Sequence, residues 1–163
     1  MTAMLEPNID TEISRIATVV ADAAQQRGMR LACAESLTSG AIASALGRAP
    51  ESAHWFCGGV IAYTADVKVG VLGVVPGPVV TTTCAMQMAV GVRDLMTADA
   101  AVAVTGVGGP GESEGRPAGT VIIAVSTAKG IDVATHCFEG DPGAVVAQTT
   151  LCALVSLRDV IER

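Results

Sequence analysis

The sequence predicts an α/β protein: a three-layer α/β/α sandwich built on a mixed, mostly parallel sheet. Three observations carry this. Short buried apolar runs (Met29 to Ala34, Ala100 to Thr105) alternate with amphipathic helical patterns. Two adjacent strand-like runs, Thr120 to Thr127 and Ile131 to Phe138, are joined by Ala128-Lys129-Gly130, a hairpin signal that places antiparallel strands in the sheet. Aromatic residues are scarce (Trp55, Phe56, Tyr63, Phe138), and Ala, Val and Gly dominate, a composition suited to close packing of helix on sheet.

The elements follow in order. Ile9, Ile13, Ile16, Val19, Val20 and Ala23 recur at helical spacing, with Asp10 or Thr11 as a cap and Gly28 as a stop. Thr38 to Gly47 is a short helix ended by Gly47 and Pro50. Trp55 to Tyr63 is a strand rich in small residues, and Ala65 to Leu72 a short helix carrying Lys68. Pro76, Gly77 and Pro78 make Val74 to Val80 a loop. One of Thr81, Thr82 and Thr83 caps the next helix, roughly Cys84 to Met96. Gly106 to Gly119 is a long Gly/Pro/Glu loop of the kind that binds ligands or moves. Gly143 to Glu162 is the final helix.

A chain of 163 residues is expected to form one domain, 1–163, with no linker or repeat. A net charge of −6 with ten scattered basic residues argues against nucleic acid. Missing aromatic platforms argue against single-strand stacking. Cys33, Cys57, Cys84, Cys137 and Cys152 form no C-x-x-C and share no ligand spacing with His54 or His136. Reduced thiols in a cytoplasmic protein, with no metal site, are therefore expected. Met1 to Asp10 lacks the apolar region of a signal peptide, and no apolar run of membrane-spanning length is free of Gly, Pro or charge.

The chemistry concentrates at predicted strand ends, where ligands bind in α/β sheets: Ser36, Tyr63 and Thr105. Ser36, between a strand and a helix, is either an N-cap or a nucleophile beside free backbone N–H groups. A nucleophile needs a base, and neither histidine sits in a Gly-rich motif, so Lys68 is the stronger candidate. Its alternative is a solvated helix lysine. Tyr63 either relays a proton or orients the lysine, or simply borders a strand. Gly106, Gly108 and Gly111 formally match G-x-G-x-x-G, but Pro110 and a second strand follow where a helix must open, which excludes a dinucleotide fingerprint. A wall that brings backbone close to a ligand remains.

At these residues the chain resembles a known family. Glu35-Ser36-x-Thr38-x-Gly40, Tyr63-x-x-x-x-Lys68, Thr105-Gly106-x-Gly108-Gly109-Pro110, Arg116-Pro117-x-Gly119-Thr120-Val121 and Phe138-x-Gly140-Asp141 occur in that order. The pattern is similar to the competence-damage-inducible protein C-terminal domain family, the nicotinamide-nucleotide amidohydrolases, over about Ile9 to Leu157. The resemblance implies a compact α/β/α domain that deamidates nicotinamide mononucleotide to nicotinic acid mononucleotide and ammonia. It further implies a serine nucleophile with lysine and tyrosine, no metal, no cofactor, and a homo-oligomer. By position the catalytic trio is Ser36, Lys68 and Tyr63. The substrate-binding candidates are Glu35, Thr38, Ser39, Gly40, Thr105, Gly106, Gly108, Gly109 and Arg116. Two departures stand out. Leu37-Thr38-Ser39-Gly40 replaces the common Cys-Thr-Gly-Gly, and Pro142 to Val146 lacks the arginines that many members carry after Gly-Asp. The second departure keeps an alternative open: a non-catalytic nucleotide- or protein-binding module on the same fold.

Overall fold

Asn8 opens the first helix of the computed structural model, which describes residues 8–163. Its side chain accepts from the Asp10 N–H at 3.1 Å, so the cap lies ahead of the expected Asp10 or Thr11. Helix α1 (Ile9–Arg27) stops at Gly28, as expected, in the left-handed conformation with φ 61°. Most of Met1 to Asp10, read above for a signal peptide, lies outside the described residues.

Strand β1 (Leu31–Glu35) is buried along its whole length. It pairs in parallel with β2 (Phe56–Ile61) on one side and with β3 (Ala100–Gly106) on the other. Antiparallel β4 (Thr120–Thr127) pairs with β3, and β5 (Gly130–Cys137) pairs antiparallel with β4. The order is β2-β1-β3-β4-β5, so only β4 runs against the rest. The hairpin signal and the mixed, mostly parallel sheet are both present.

Strand alternation sends Leu31, Cys33, Val102, Val104, Ile123 and Val125 to one face. There they meet α1, α2 (Ala41–Arg48), the short α3 (Ser52–Trp55) and α6 (Pro142–Ile161). Ala32, Ala34, Ala101, Ala103, Ile122 and Ala124 face α4 (Ala65–Leu72) and α5 (Thr82–Met96). Small strand residues on that second face let α5 approach closely, through Ala85, Met88 and Ala89. Gly91 continues the close fit: a Cβ there would run into the Leu72 carbonyl. Each fully buried Val, Leu or Ile stabilises this sandwich by about 1.5–3 kcal/mol.

The main differences from the expected elements have local reasons. The helix after β1 begins at Ala41 rather than Thr38, because Ser39 (φ 51°) and Gly40 (φ 104°) are left-handed and hold a turn open. Helix α3 was not foreseen; it spans only four residues, too short for a periodic signal. Helix α6 starts at Pro142, capped by Asp141, whose carboxylate accepts from the Ala144 N–H at 2.8 Å. Its 20 residues are apolar enough by composition to cross a membrane, but one face packs on α1, β3 and β4.

Candidate active site

The connection after β1 leads to β2 on one side, and the next crossover carries the chain back to β3 on the other. The position outside the carboxyl ends of β1 and β3, the crevice of an open α/β sheet, is where ligands usually bind in such folds. Ser36 follows β1 directly, Tyr63 follows β2 by two residues, and Thr105 is near the end of β3. The expected convergence of these strand ends therefore occurs. A cavity of about 870 Å³ lies at the opposite end of the sheet, lined by Arg27, Arg93, Lys129 and Arg163 among others. It sits where α1, α5 and α6 end, so helix C-termini account for much of its basic lining.

Ser36 and Lys68 are in direct contact. Lys68 Nζ lies 3.0 Å from Ser36 Oγ, 2.8 Å from the Ala62 carbonyl and 3.2 Å from the Tyr63 carbonyl. Lys68 is 1% exposed and Ser36 7% exposed. The solvated-lysine alternative is thereby excluded. So is the serine N-cap: the cap position of α2 is Gly40, with no side-chain bond. Three acceptors suit an ammonium. They suit a neutral amine equally, with two N–H bonds to the carbonyls and the lone pair turned toward the serine hydroxyl. Burial lowers the Lys68 pKa from the ordinary lysine value, while Cys84 and Glu114 nearby oppose the shift.

Tyr63 enters this geometry through its backbone. Its side chain is 64% exposed, and its hydroxyl makes no hydrogen bond among the described residues. The expected phenol relay is therefore not assembled here; the carbonyl instead orients Lys68.

Glu35 spends its carboxylate on the fold. It was expected to bind substrate, yet its carboxylate is 1% exposed and turned away from the crevice toward α2. One oxygen accepts from the Ile42 N–H and the other from the Ala43 N–H, each at 2.9 Å. Cys33 Sγ lies 4.0 Å from the second oxygen. Glu35 thus caps α2 from the end of β1 and closes the turn that carries Ser36. Within that turn Ser39 N–H donates to Ser36 O and Ala41 N–H to Thr38 O. The N–H groups of Leu37, Thr38 and Gly40 have no backbone acceptor among the described residues. Thr38 Oγ1 is buried without a partner, while Ser39 is exposed.

The glycine-rich wall meets the turn through Gly108: a Cβ there would lie 3.7 Å from Leu37 Cβ. Gly109 is half-buried beside it with φ 89°. Thr105 and Gly106 shape the wall rather than line it. The Thr105 hydroxyl donates to Val79 O at 2.9 Å and faces the Cys84 thiol, and Gly106 lies flat against the Thr120 carbonyl. Burial raises the Cys84 pKa, and Lys68 nearby opposes that shift. Arg116 is exposed on a tight turn, Ser113 to Arg116, and its guanidinium makes no hydrogen bond among the described residues. The Asp141 to Val146 segment forms the start of α6. Among the described residues no cluster of His, Cys, Asp and Glu is arranged to hold a metal.

Sequence reasoning missed two groups here: Cys84, and Glu114, whose carboxylate accepts from the Val79 and Val80 N–H groups at 2.8 Å each. A Glu-Gly pair inside the long loop was the available signal for a tight turn at this point.

The family model for the CinA C-terminal domain matches residues 13–161. The chain belongs to the CinA C-terminal domain family. It is 34% identical over 155 residues to the nicotinamide-nucleotide amidohydrolase PncC of Escherichia coli K12, covering 91% of this chain and 94% of that protein. It is 37% identical over 145 residues to a competence-damage inducible protein of Desulforamulus reducens, covering 86% of this chain and 35% of that one. It spans about a third of such longer relatives. A CinA superfamily crystal structure from Klebsiella pneumoniae superposes with a TM-score of 0.89 at 35% identity, covering 92% of this chain and 98% of that one. The competence/damage inducible protein CihA of Agrobacterium tumefaciens superposes at 0.87 with 30% identity over 100% of both chains.

Proposed function

We propose that this chain hydrolyses the carboxamide of nicotinamide mononucleotide, yielding nicotinic acid mononucleotide and ammonia, with Ser36 as nucleophile and Lys68 as base. The observation that carries it is the 3.0 Å contact between Lys68 Nζ and Ser36 Oγ, with the amine oriented by two backbone carbonyls. The similarity to the Escherichia coli amidohydrolase PncC over most of both chains supports the substrate.

Amides are poor electrophiles, so the reaction needs both an activated hydroxyl and a stabilised oxyanion. Neutral Lys68 takes the Ser36 proton as Oγ attacks the carboxamide carbon. The unbonded N–H groups of Leu37, Thr38 and Gly40 are the candidates to receive the developing oxyanion, or to cradle phosphate. Collapse of the tetrahedral intermediate breaks the C–N bond, and Lys68 returns its proton to the leaving ammonia. Water, deprotonated by Lys68, then hydrolyses the acyl-serine ester and regenerates Ser36. The route uses no metal and no cofactor, because Lys68 and backbone N–H groups supply the acid–base and electrostatic roles.

Thr38, Ser39, Gly40, Gly108 and Gly109 form the surface against which the nucleotide lies. Arg116, exposed and unbonded, is the cation available for its phosphate. The setting is cytoplasmic, and the chain forms a homo-oligomer, the latter supported by apolar Ile61, Tyr63, Val71 and Val75 left exposed in or just after β2 and α4. A second reading, a binding module without turnover, is favoured by Pro142 to Val146, a segment without the arginines that the family resemblance implies after Gly-Asp.

The test is acid-quenched intact-mass analysis during turnover with chelator present. A covalent acyl adduct on wild type, mapped to Ser36 and absent from Ser36→Ala, supports the enzyme reading. Nucleotide binding with neither adduct nor product supports the module.

A further inference from the structure

Glu114 lies in the glycine-rich loop but reaches across to another one. Glu114 (φ 53°) and Gly115 (φ 71°) are both left-handed, and Ser113 and Arg116 exchange two N–H to carbonyl bonds at 3.0 and 2.9 Å. Residues 113–116 therefore form a tight turn of the primed type. From its tip the Glu114 carboxylate accepts from the Val79 N–H at 2.8 and 3.1 Å and from the Val80 N–H at 2.8 Å. The Val79 carbonyl is held from the other side by the Thr105 hydroxyl at 2.9 Å. The segment ahead of α5 is thus gripped by both ends of the wall, and the same wall touches the nucleophile turn through Gly108 and Leu37.

We propose that Glu114 is a positioning residue. It clasps the wall to Val79 and Val80, and by doing so fixes both the substrate surface and a negative charge facing Lys68. This rests on the serine–lysine reading above. A carboxylate receiving N–H bonds makes a stronger clasp than a neutral oxygen. Lys68 touches Ser36 from the end of β1 and the Ala62 and Tyr63 carbonyls, and Cys84 from α5 and Glu114 from the turn lie within electrostatic reach of it. Glu35 is adjacent in sequence but spends both oxygens on α2, on the opposite face of the sheet. Glu114 is therefore the carboxylate acting on Lys68, and its charge favours the protonated lysine.

The chain has two lysines, Lys68 and Lys129, so 13C labelling at the lysine ε-carbon gives two NMR signals whose titration is read directly. In Glu114→Gln, Lys68 is expected to titrate at lower pH than in wild type. KM should rise by about fivefold, the effect of loosening one hydrogen bond. Glu114→Asp keeps the charge but shortens the reach: KM should rise while the Lys68 titration stays near wild type. An unchanged Lys68 titration in folded Glu114→Gln overturns the proposal. So does an unchanged KM in both variants. If wild type shows no deamidation, the Lys68 titration and nucleotide affinity in place of KM still decide the role of Glu114, so failure of one reading is distinguishable from failure of the other.

Discussion

Lys68 Nζ and Ser36 Oγ stand 3.0 Å apart although 32 residues separate them in the chain. The contact exists because β1 ends at Glu35, delivering Ser36 to the crevice, while β2 ends one strand away and feeds α4. The Ala62 and Tyr63 carbonyls at that junction then fix where the amine points. Burial of the lysine gives the pair its chemical character.

That burial makes activity and stability depend on pH in defined directions. Burial lowers the folded-state pKa of Lys68, so kcat/KM should rise with pH as Lys68 loses its proton. For stability, the unfolded chain binds a proton that the folded chain has released between the folded pKa and the unfolded value of about 10.4. Stability contributed by Lys68 is therefore at its lowest below the folded pKa and improves as pH rises through that window. Chemical denaturation of wild type and Lys68→Met across pH should show wild type gaining relative to the variant as pH increases. Parallel curves would show that Lys68 is not perturbed.

Glu35 should matter for folding rather than for substrate contact. Glu35→Ala leaves the Ile42 and Ala43 N–H groups unpaired, and a loss of about 2–4 kcal/mol is expected in urea unfolding. Glu35→Gln retains one acceptor and should lose less. Equal substrate binding by folded Glu35→Gln and wild type would agree with the capping role; selective loss of binding at full stability would contradict it.

Ser39 occupies a left-handed conformation, φ 51°, that costs a non-glycine residue energy. Ser39→Gly should stabilise the protein by about 0.5–1 kcal/mol, the backbone strain relieved less the entropy glycine adds to the unfolded chain. Glycine keeps the backbone that faces the proposed nucleotide surface and removes only an exposed side chain, so activity should persist. Calorimetry with a turnover assay checks both.

Tyr63 offers its carbonyl to Lys68 while its phenol faces solvent. Tyr63→Phe should therefore keep kcat within about threefold of wild type, below the hundredfold or more expected from losing a proton-transfer group. A hundredfold loss would show that the phenol closes onto the substrate during turnover.

The layered fold was legible because hydrophobic periodicity and the Ala128-Lys129-Gly130 turn are local signals. Gly28 as a stop and Thr81 as one of three possible caps were legible for the same reason. The strand-end placement of Ser36, Tyr63 and Thr105 followed from the alternation of strands and helices. What could not be read was which atoms each residue spends on the fold. Glu35 looks like a site residue because it precedes the serine, but its carboxylate reaches forward to α2, a contact between elements that no spacing encodes. Tyr63 holds Lys68 through a carbonyl, an atom that every residue has, so this contact could not be read from its identity. Glu114 and Cys84 come within electrostatic reach of Lys68 only when loop and helix meet in three dimensions.

Ammonia release from nicotinamide mononucleotide tests the central claim most directly, with purified wild type and Ser36→Ala compared under chelator. Steady release by wild type, falling by three orders of magnitude or more in the variant (on the order of losing a covalent nucleophile), is the predicted result. Equal release by both proteins would contradict the serine–lysine site, and no release by folded wild type would contradict the proposed activity.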